Sequence, residues 1–95
     1  MDSLTQIIYS AMEILIKNGV KKSDVSGDSI IIPENKENEV LEELANDFKL
    51  HIASNTVNEI LSGLFEYFKM LKEISGDLTL FDLYWNNIEF RSRKQ

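Results

Sequence analysis

The sequence predicts a mainly α-helical domain of the α+β class, with three to four packed amphipathic helices and a short β-hairpin. Three observations predict it. Apolar residues recur three and four positions apart over 4–18, 38–49 and 56–74, the period of a helix that buries one face. Glycine, proline and small polar residues separate these segments and stop helices. A run of three β-branched residues, Ile30-Ile31-Ile32, follows Ser26-Gly27-Asp28, a turn signature.

The first helix is expected over 4–18. Leu4, Ile7, Ile8, Ala11, Met12 and Leu15 share one face, with Gln6, Ser10, Glu13 and Lys17 opposite. Gly19 follows the last turn as a stop. Residues 20–25 and 29–32 read as the two strands of the hairpin, because β-branched side chains suit a pleat, and Pro33 ends the second.

The next helix, over 38–49, turns Val40, Leu41, Leu44, Ala45 and Phe48 to one side and Glu39, Glu42, Glu43, Asn46 and Asp47 to the other. Residues 50–53 form a connector, and Ser54 or Asn55 caps a helix over 56–74. That helix carries a broad apolar stripe (Val57, Ile60, Leu61, Leu64, Phe68 and Leu71, widened by Phe65, Tyr67, Met70 and Ile74) and is expected at the centre of the fold. Gly63 inside it either permits a close crossing or is inert. Ser75-Gly76 ends the helix.

The last segment has two readings. As a helix over about 79–85 or slightly beyond, Thr79 caps and Asp82 sits three residues on, a capping box with Asp in place of Glu. As a C-terminal hairpin, 78–85 and 88–92 pair around Asn86-Asn87, residues that tolerate turns and are poor inside helices. The helix is the preferred reading. Residues 91–95 are expected to form a frayed basic tail.

The chain has 95 residues, which fits a single domain over 1–95. It has no cysteine, one histidine and one proline. This composition excludes a disulfide scaffold, a cysteine zinc site and a thiol enzyme. The N-terminus reads Met1-Asp2-Ser3-Leu4, without a basic leader or a long apolar stretch. No apolar run approaches the ~20 residues of a membrane span. A cytoplasmic protein that contacts no membrane is the expectation.

Sixteen acids against ten bases give a net charge of −6, unevenly spread. The first 90 residues carry −9 and the last five +3. Six acids, Glu34, Glu37, Glu39, Glu42, Glu43 and Asp47, fall between 34 and 47 with Lys36 as the one base. Such a surface repels nucleic acid and attracts basic proteins. Arg91, Arg93 and Lys94 make no continuous basic groove, so direct nucleic-acid binding is not expected.

Little here points to catalysis. His51 is the one side chain whose unperturbed pKa lies near neutrality, and no nucleophile motif accompanies it. Two carboxylate sets, Glu34/Glu37/Glu39 and Asp24/Asp28/Glu34, match no calcium loop. No phosphate-cradling glycine loop is present. The sequence therefore predicts no enzyme, no cofactor and no metal. Phe81, Tyr84, Trp85 and Phe90 cluster near the end of the chain, and aromatics of this kind serve either a core or an interface.

Residues 38–94 carry a partial resemblance. A short helix, a capped longer one, Gly76-Asp77-Leu78-Thr79-Leu80 and then Ile88-Glu89-Phe90-Arg91-Ser92-Arg93 resemble the HU/IHF nucleoid-protein family. That family's strands read Gly-Asp-x-Val-x-Leu and Phe-x-Val-x-x-Arg. The glycine-phenylalanine-glycine turn is missing, and the chain stops where DNA-binding arms would begin. The resemblance thus implies an arm-less HU/IHF-like dimer or assembly module. In class, this small, acidic, cysteine-free chain is similar to phage-encoded inhibitors of host proteins, some of them DNA mimics. Colicin-type and contact-inhibition immunity proteins, which neutralise basic nuclease toxins, share its composition.

The expected function is accordingly a protein-binding inhibitor that uses an acidic helix face to block the nucleic-acid site of a basic host protein. Glu34, Glu37, Glu39, Glu42, Glu43 and Asp47 are the candidate contacts, with homodimerisation or an immunity role as the alternatives. Side chains three or four apart on a helix lie about 5–6 Å from one another, so a rigid row can engage several Lys or Arg at once.

Overall fold

The computed structural model describes residues 3–26, 29–51, 57–73 and 78–93. They form α1 (Ser3–Lys17), α2 (Glu37–His51), α3 (Val57–Glu73) and α4 (Leu80–Arg93), with 3₁₀ turns at Lys22–Asp24 and Glu34–Lys36. Helices α1 and α3 form the shared middle: each packs against the other and against both α2 and α4. The radius of gyration, 12.7 Å, is what close packing of this chain length gives.

Helix α1 buries Ile7, Ile8, Ala11, Met12 and Leu15, the expected stripe. Its end is built around Gly19, whose φ of 89° lies where a side chain is strained. The Gly19 N–H donates to the Ile16 carbonyl at 3.1 Å and the Val20 N–H to the Leu15 carbonyl at 3.0 Å. These two bonds make a Schellman motif, and Val20 and Leu15 are both buried, as that motif prefers. The chain leaves the helix with Val20 already in the core.

The expected β-hairpin is not present. The described residues contain no strand, only an isolated antiparallel bridge between Val25 and Ile30. The reason lies in spacing. Val20 and Val25 are both buried, but residues five apart face opposite sides of a strand. The 3₁₀ turn between them brings both inward. The Lys21 N–H donates to Asp24 Oδ2 at 2.9 Å, and the Asp24 N–H to the Lys21 carbonyl at 2.9 Å. Ile31 is 66% exposed, while Ile30 and Ile32 pack on the core. The isoleucine run thus keeps the alternation of extended chain. Residues 27–28 of the expected turn lie outside the described residues.

Helix α2 starts one residue before and ends two residues after the expected 38–49. It buries Val40 and Leu44. Helix α3 buries Leu64, Phe68 and Leu71. The caps Ser54 and Asn55, the residue Ile74 and the Ser75-Gly76 stop lie outside the described residues. A Cβ added at Gly63 would meet nothing within 4 Å, so this glycine serves no close crossing.

The C-terminal hairpin is also overturned: 80–93 is a single helix. Phe81, Trp85 and Ile88 are all buried. Residues 85 and 88 would face opposite sides of a strand, whereas spacing of four and three puts all three on one helix face. The capping box is in place. The Thr79 N–H donates to Asp82 Oδ2 at 3.1 Å, and the Asp82 N–H to Thr79 Oγ1 at 3.1 Å. Thr79 Oγ1 itself donates to Asp82 Oδ2 at 2.9 Å. Asn86 and Asn87 are exposed, where their poor propensity costs only tenths of a kcal/mol. Residues 91–93 of the expected tail are helical, with Arg91 and Arg93 in the last turn, where cations suit the helix dipole. Helix α4 also occupies 88–93, the second of the two segments where the HU/IHF resemblance implied strands.

Candidate protein-binding face

The core settles which residues are left for function. Phe81 stacks on Trp85 with centroids 5.6 Å apart and meets the Phe68 ring edge-on at 5.3 Å. Trp85 is fully buried and Tyr84 packs edge-on against Tyr9 at 5.0 Å. Of the C-terminal aromatics only Phe90 is exposed, at 59%.

The six carboxylates predicted for partner binding divide into two groups. Glu34, on the 3₁₀ turn, and Glu37, Glu39 and Glu42, on the first turns of α2, are exposed. Docking of Val40 and Leu44 fixes the rotation of α2, and Glu39, Glu42 and Asn46 follow on the side away from the core. Lys36 Nζ stands 3.4 Å from Glu39 Oε2, a loose pair with Glu39 62% exposed.

Glu43 and Asp47 belong to a different environment. Lys17 Nζ of α1 lies 2.6 Å from Glu43 Oε2, and Asn18 Nδ2 donates to Glu43 Oε1 at 3.4 Å and to the Ile14 carbonyl at 2.7 Å. The Lys17 hydrogen bond holds the Glu43 carboxyl below its ordinary pKa, against the opposing effect of partial burial. Asp47 is half-buried, with Oδ2 closed off from solvent. Glu43 ties α2 to α1, and neither it nor the half-buried Asp47 belongs to the exposed row. Sequence reading groups 43 and 47 with the outward-facing acids, and the structure places both side chains at intermediate exposure instead.

A cleft of about 400 Å³ lies between the Lys22–Asp24 turn and the adjoining ends of α3 and α4, lined by Lys22, Ser23, Val25, Lys72, Thr79, Phe81 and Asp82. Its charges are engaged. Lys72 Nζ donates to the Val25 carbonyl at 2.6 Å and stands 4.8 Å from the Phe81 ring centroid. Lys22 Nζ donates to Asn86 Oδ1 at 3.1 Å and lies 3.4 Å from Asp82 Oδ1. The Thr79 backbone and hydroxyl bonds, with Lys22 adding, hold Asp82 below its ordinary pKa. Sequence reading missed this lysine clamp, which spans 47 and 64 positions and leaves no local pattern.

His51 is the last residue of α2 and not part of a connector. No three His, Asp or Glu side chains come together as metal ligands among the described residues. Asp28, one of the carboxylates considered for a cation, lies outside them. No helix among the described residues is long and apolar enough to cross a membrane. Compared with protein-family models, with curated proteins and with solved structures, the chain matches none.

Proposed function

We propose that this chain is a non-enzymatic binding module that presents the exposed carboxylates Glu34, Glu37, Glu39 and Glu42 to a basic surface on another protein, of the kind that otherwise holds nucleic acid. The observation that carries the reading is the division described above. Glu37, Glu39 and Glu42 stand in solvent on a helix whose rotation is fixed by Val40 and Leu44, with Glu34 exposed on the turn before it, while Glu43 anchors that helix to α1 and Asp47 is half-buried. An anchored helix loses little entropy when its side chains engage cations, which favours binding. A row of like charges also steers a basic partner, so association is fast and salt-sensitive. An inhibitor of a nucleic-acid-binding protein and an antidote to a basic nuclease would use the same chemistry.

The test uses the chain as bait, eluted with a salt gradient. A basic nucleic-acid-binding protein or nuclease is expected to leave at moderate salt. It should be lost with Glu39→Gln/Glu42→Gln and retained with Glu66→Gln/Glu73→Gln, which changes net charge equally at exposed positions of α3. Equal retention by both variants would refute the assignment of the site. Absence of any basic protein from the eluate would refute the class.

A further inference from the structure

Asn18 and Gly19 form the single Asn-Gly pair of the chain, and they sit where α1 ends. Such a pair is chemically labile, because glycine has no side chain to hinder attack by its own backbone nitrogen on the preceding carboxamide. In that reaction the Gly19 nitrogen bonds to Asn18 Cγ and the Cγ–Nδ2 bond breaks. Ammonia leaves, carrying the Gly19 amide proton. Water then opens the cyclic imide at either carbonyl. The product is aspartate, or isoaspartate with the main chain routed through the side-chain carbon.

The fold closes this reaction at three points. The Gly19 N–H is held by the Ile16 carbonyl at 3.1 Å. Asn18 Nδ2 donates to the Ile14 carbonyl at 2.7 Å and to Glu43 Oε1 at 3.4 Å, which ties the carboxamide back to α1 and across to α2. Asn18 is 8% exposed, the one buried polar residue among those described, so water has little access to it.

The same contacts reject the product. Both partners of the carboxamide are acceptors, and an ionised carboxylate has no donor to offer them. Aspartate at this position sets a second negative charge beside Glu43 in a site largely closed to water. Lys17 already holds Glu43 Oε2 at 2.6 Å and offsets one charge of the two. Isoaspartate lengthens the main chain between 18 and 19. That moves Gly19 and Val20 out of register with the Ile16 and Leu15 carbonyls, which accept their N–H groups in the native helix end.

The geometry points to Asn18-Gly19 as a modification site gated by the fold. While α1 and α2 are docked, it is closed. When that end of α1 opens, Asn18 deamidates in water, and neither product rebuilds the contact with Glu43. The change runs one way, so time spent open converts the native chain into a form with α2 loosened from α1. It needs no partner, and it does not rest on the proposed function.

Incubation of the full chain at mildly alkaline pH, with and without enough urea to unfold it, reads the proposal directly. Mass spectrometry after digestion in acid should show the Asn18-Gly19 peptide gaining about one mass unit in urea. The folded chain should react at least ~10-fold more slowly, because reaction then waits for opening. Equal rates in the two conditions would overturn the gate. A second measurement addresses the product. Asn18→Asp should lower the urea midpoint of unfolding, and the shift should be at least halved in a Glu43→Gln background, where the like charge is gone. A midpoint unmoved by Asn18→Asp, or a shift of the same size in both backgrounds, would overturn the rejection of the product by Glu43.

Discussion

Lys17 of α1 and Glu43 of α2 meet at 2.6 Å, twenty-six positions apart in sequence, and this pair separates the carboxylates that hold the molecule together from those that stand free. Its energetic weight is modest, because the lysine side chain is 62% and the glutamate 34% exposed. A double-mutant cycle of Lys17→Met and Glu43→Gln is expected to give a coupling below about 1 kcal/mol, smaller still in ~1 M salt. The sign with pH follows from the depressed pKa of Glu43. Its contribution is complete above the unfolded value of about 4.3 and is lost as pH falls through the lower native value. Denaturant titrations between pH 7 and pH 3 should show that loss in the native chain and a smaller one in Glu43→Gln.

The Thr79–Asp82 box accounts for the start of α4. Asp82→Ala removes the acceptor of the Thr79 N–H and should cost about 1 kcal/mol. Asp82→Asn keeps an acceptor and removes the charge. It should cost less at pH 7 and flatten the acid limb, since the depressed Asp82 carboxyl stabilises the fold above its unfolded pKa and stops doing so as pH falls through its native one. Chemical denaturation of both variants at pH 7 and at pH 3 checks the pair.

The two described glycines of known surroundings should respond in opposite directions. Gly63→Ala places a methyl in open space within a helix and is expected to stabilise by about 0.4–1 kcal/mol. Gly19→Ala forces an L-residue to φ near 89° and should destabilise by about 1–2 kcal/mol. For a domain of this size each kcal/mol is about 4–8 °C in Tm, well within the resolution of a thermal melt.

Helices were legible where the buried stripe and the end signals agreed. For α1, the apolar period and Gly19 point to the same boundary, and the Schellman bonds form there. For α4, the box at Thr79 and Asp82 marked the start, but Asn86-Asn87 hid its length, because propensity speaks against a helix that the burial of Trp85 and Ile88 enforces. The hairpin failed for a related reason. Three isoleucines show that the chain is extended, not that a neighbouring strand exists, and the odd spacing of Val20 and Val25 had already called for a turn. The acidic row was half legible. Its residues could be named, but Glu43 reaches a lysine twenty-six positions earlier, and a contact of that range leaves no trace in local spacing.

The two faces of α4 give a further contrast. Trp85 has no exposed surface, and Trp85→Ala should cost about 3–5 kcal/mol, a large part of the ~5–10 kcal/mol total stability of such a domain. Leu83, half exposed on the other side, should change stability by less than about 0.5 kcal/mol as Leu83→Ser. Urea melts of the two variants compare them.

Competition measures the binding claim most directly. A basic partner recovered by the bait is loaded with fluorescently labelled nucleic acid, and the anisotropy is followed as the chain is added. The account predicts displacement that weakens steeply with salt and disappears with Glu39→Gln/Glu42→Gln, while Glu66→Gln/Glu73→Gln displaces as the native chain does. Nucleic acid that stays bound at saturating native chain, or displacement untouched by loss of the α2 carboxylates, would contradict it.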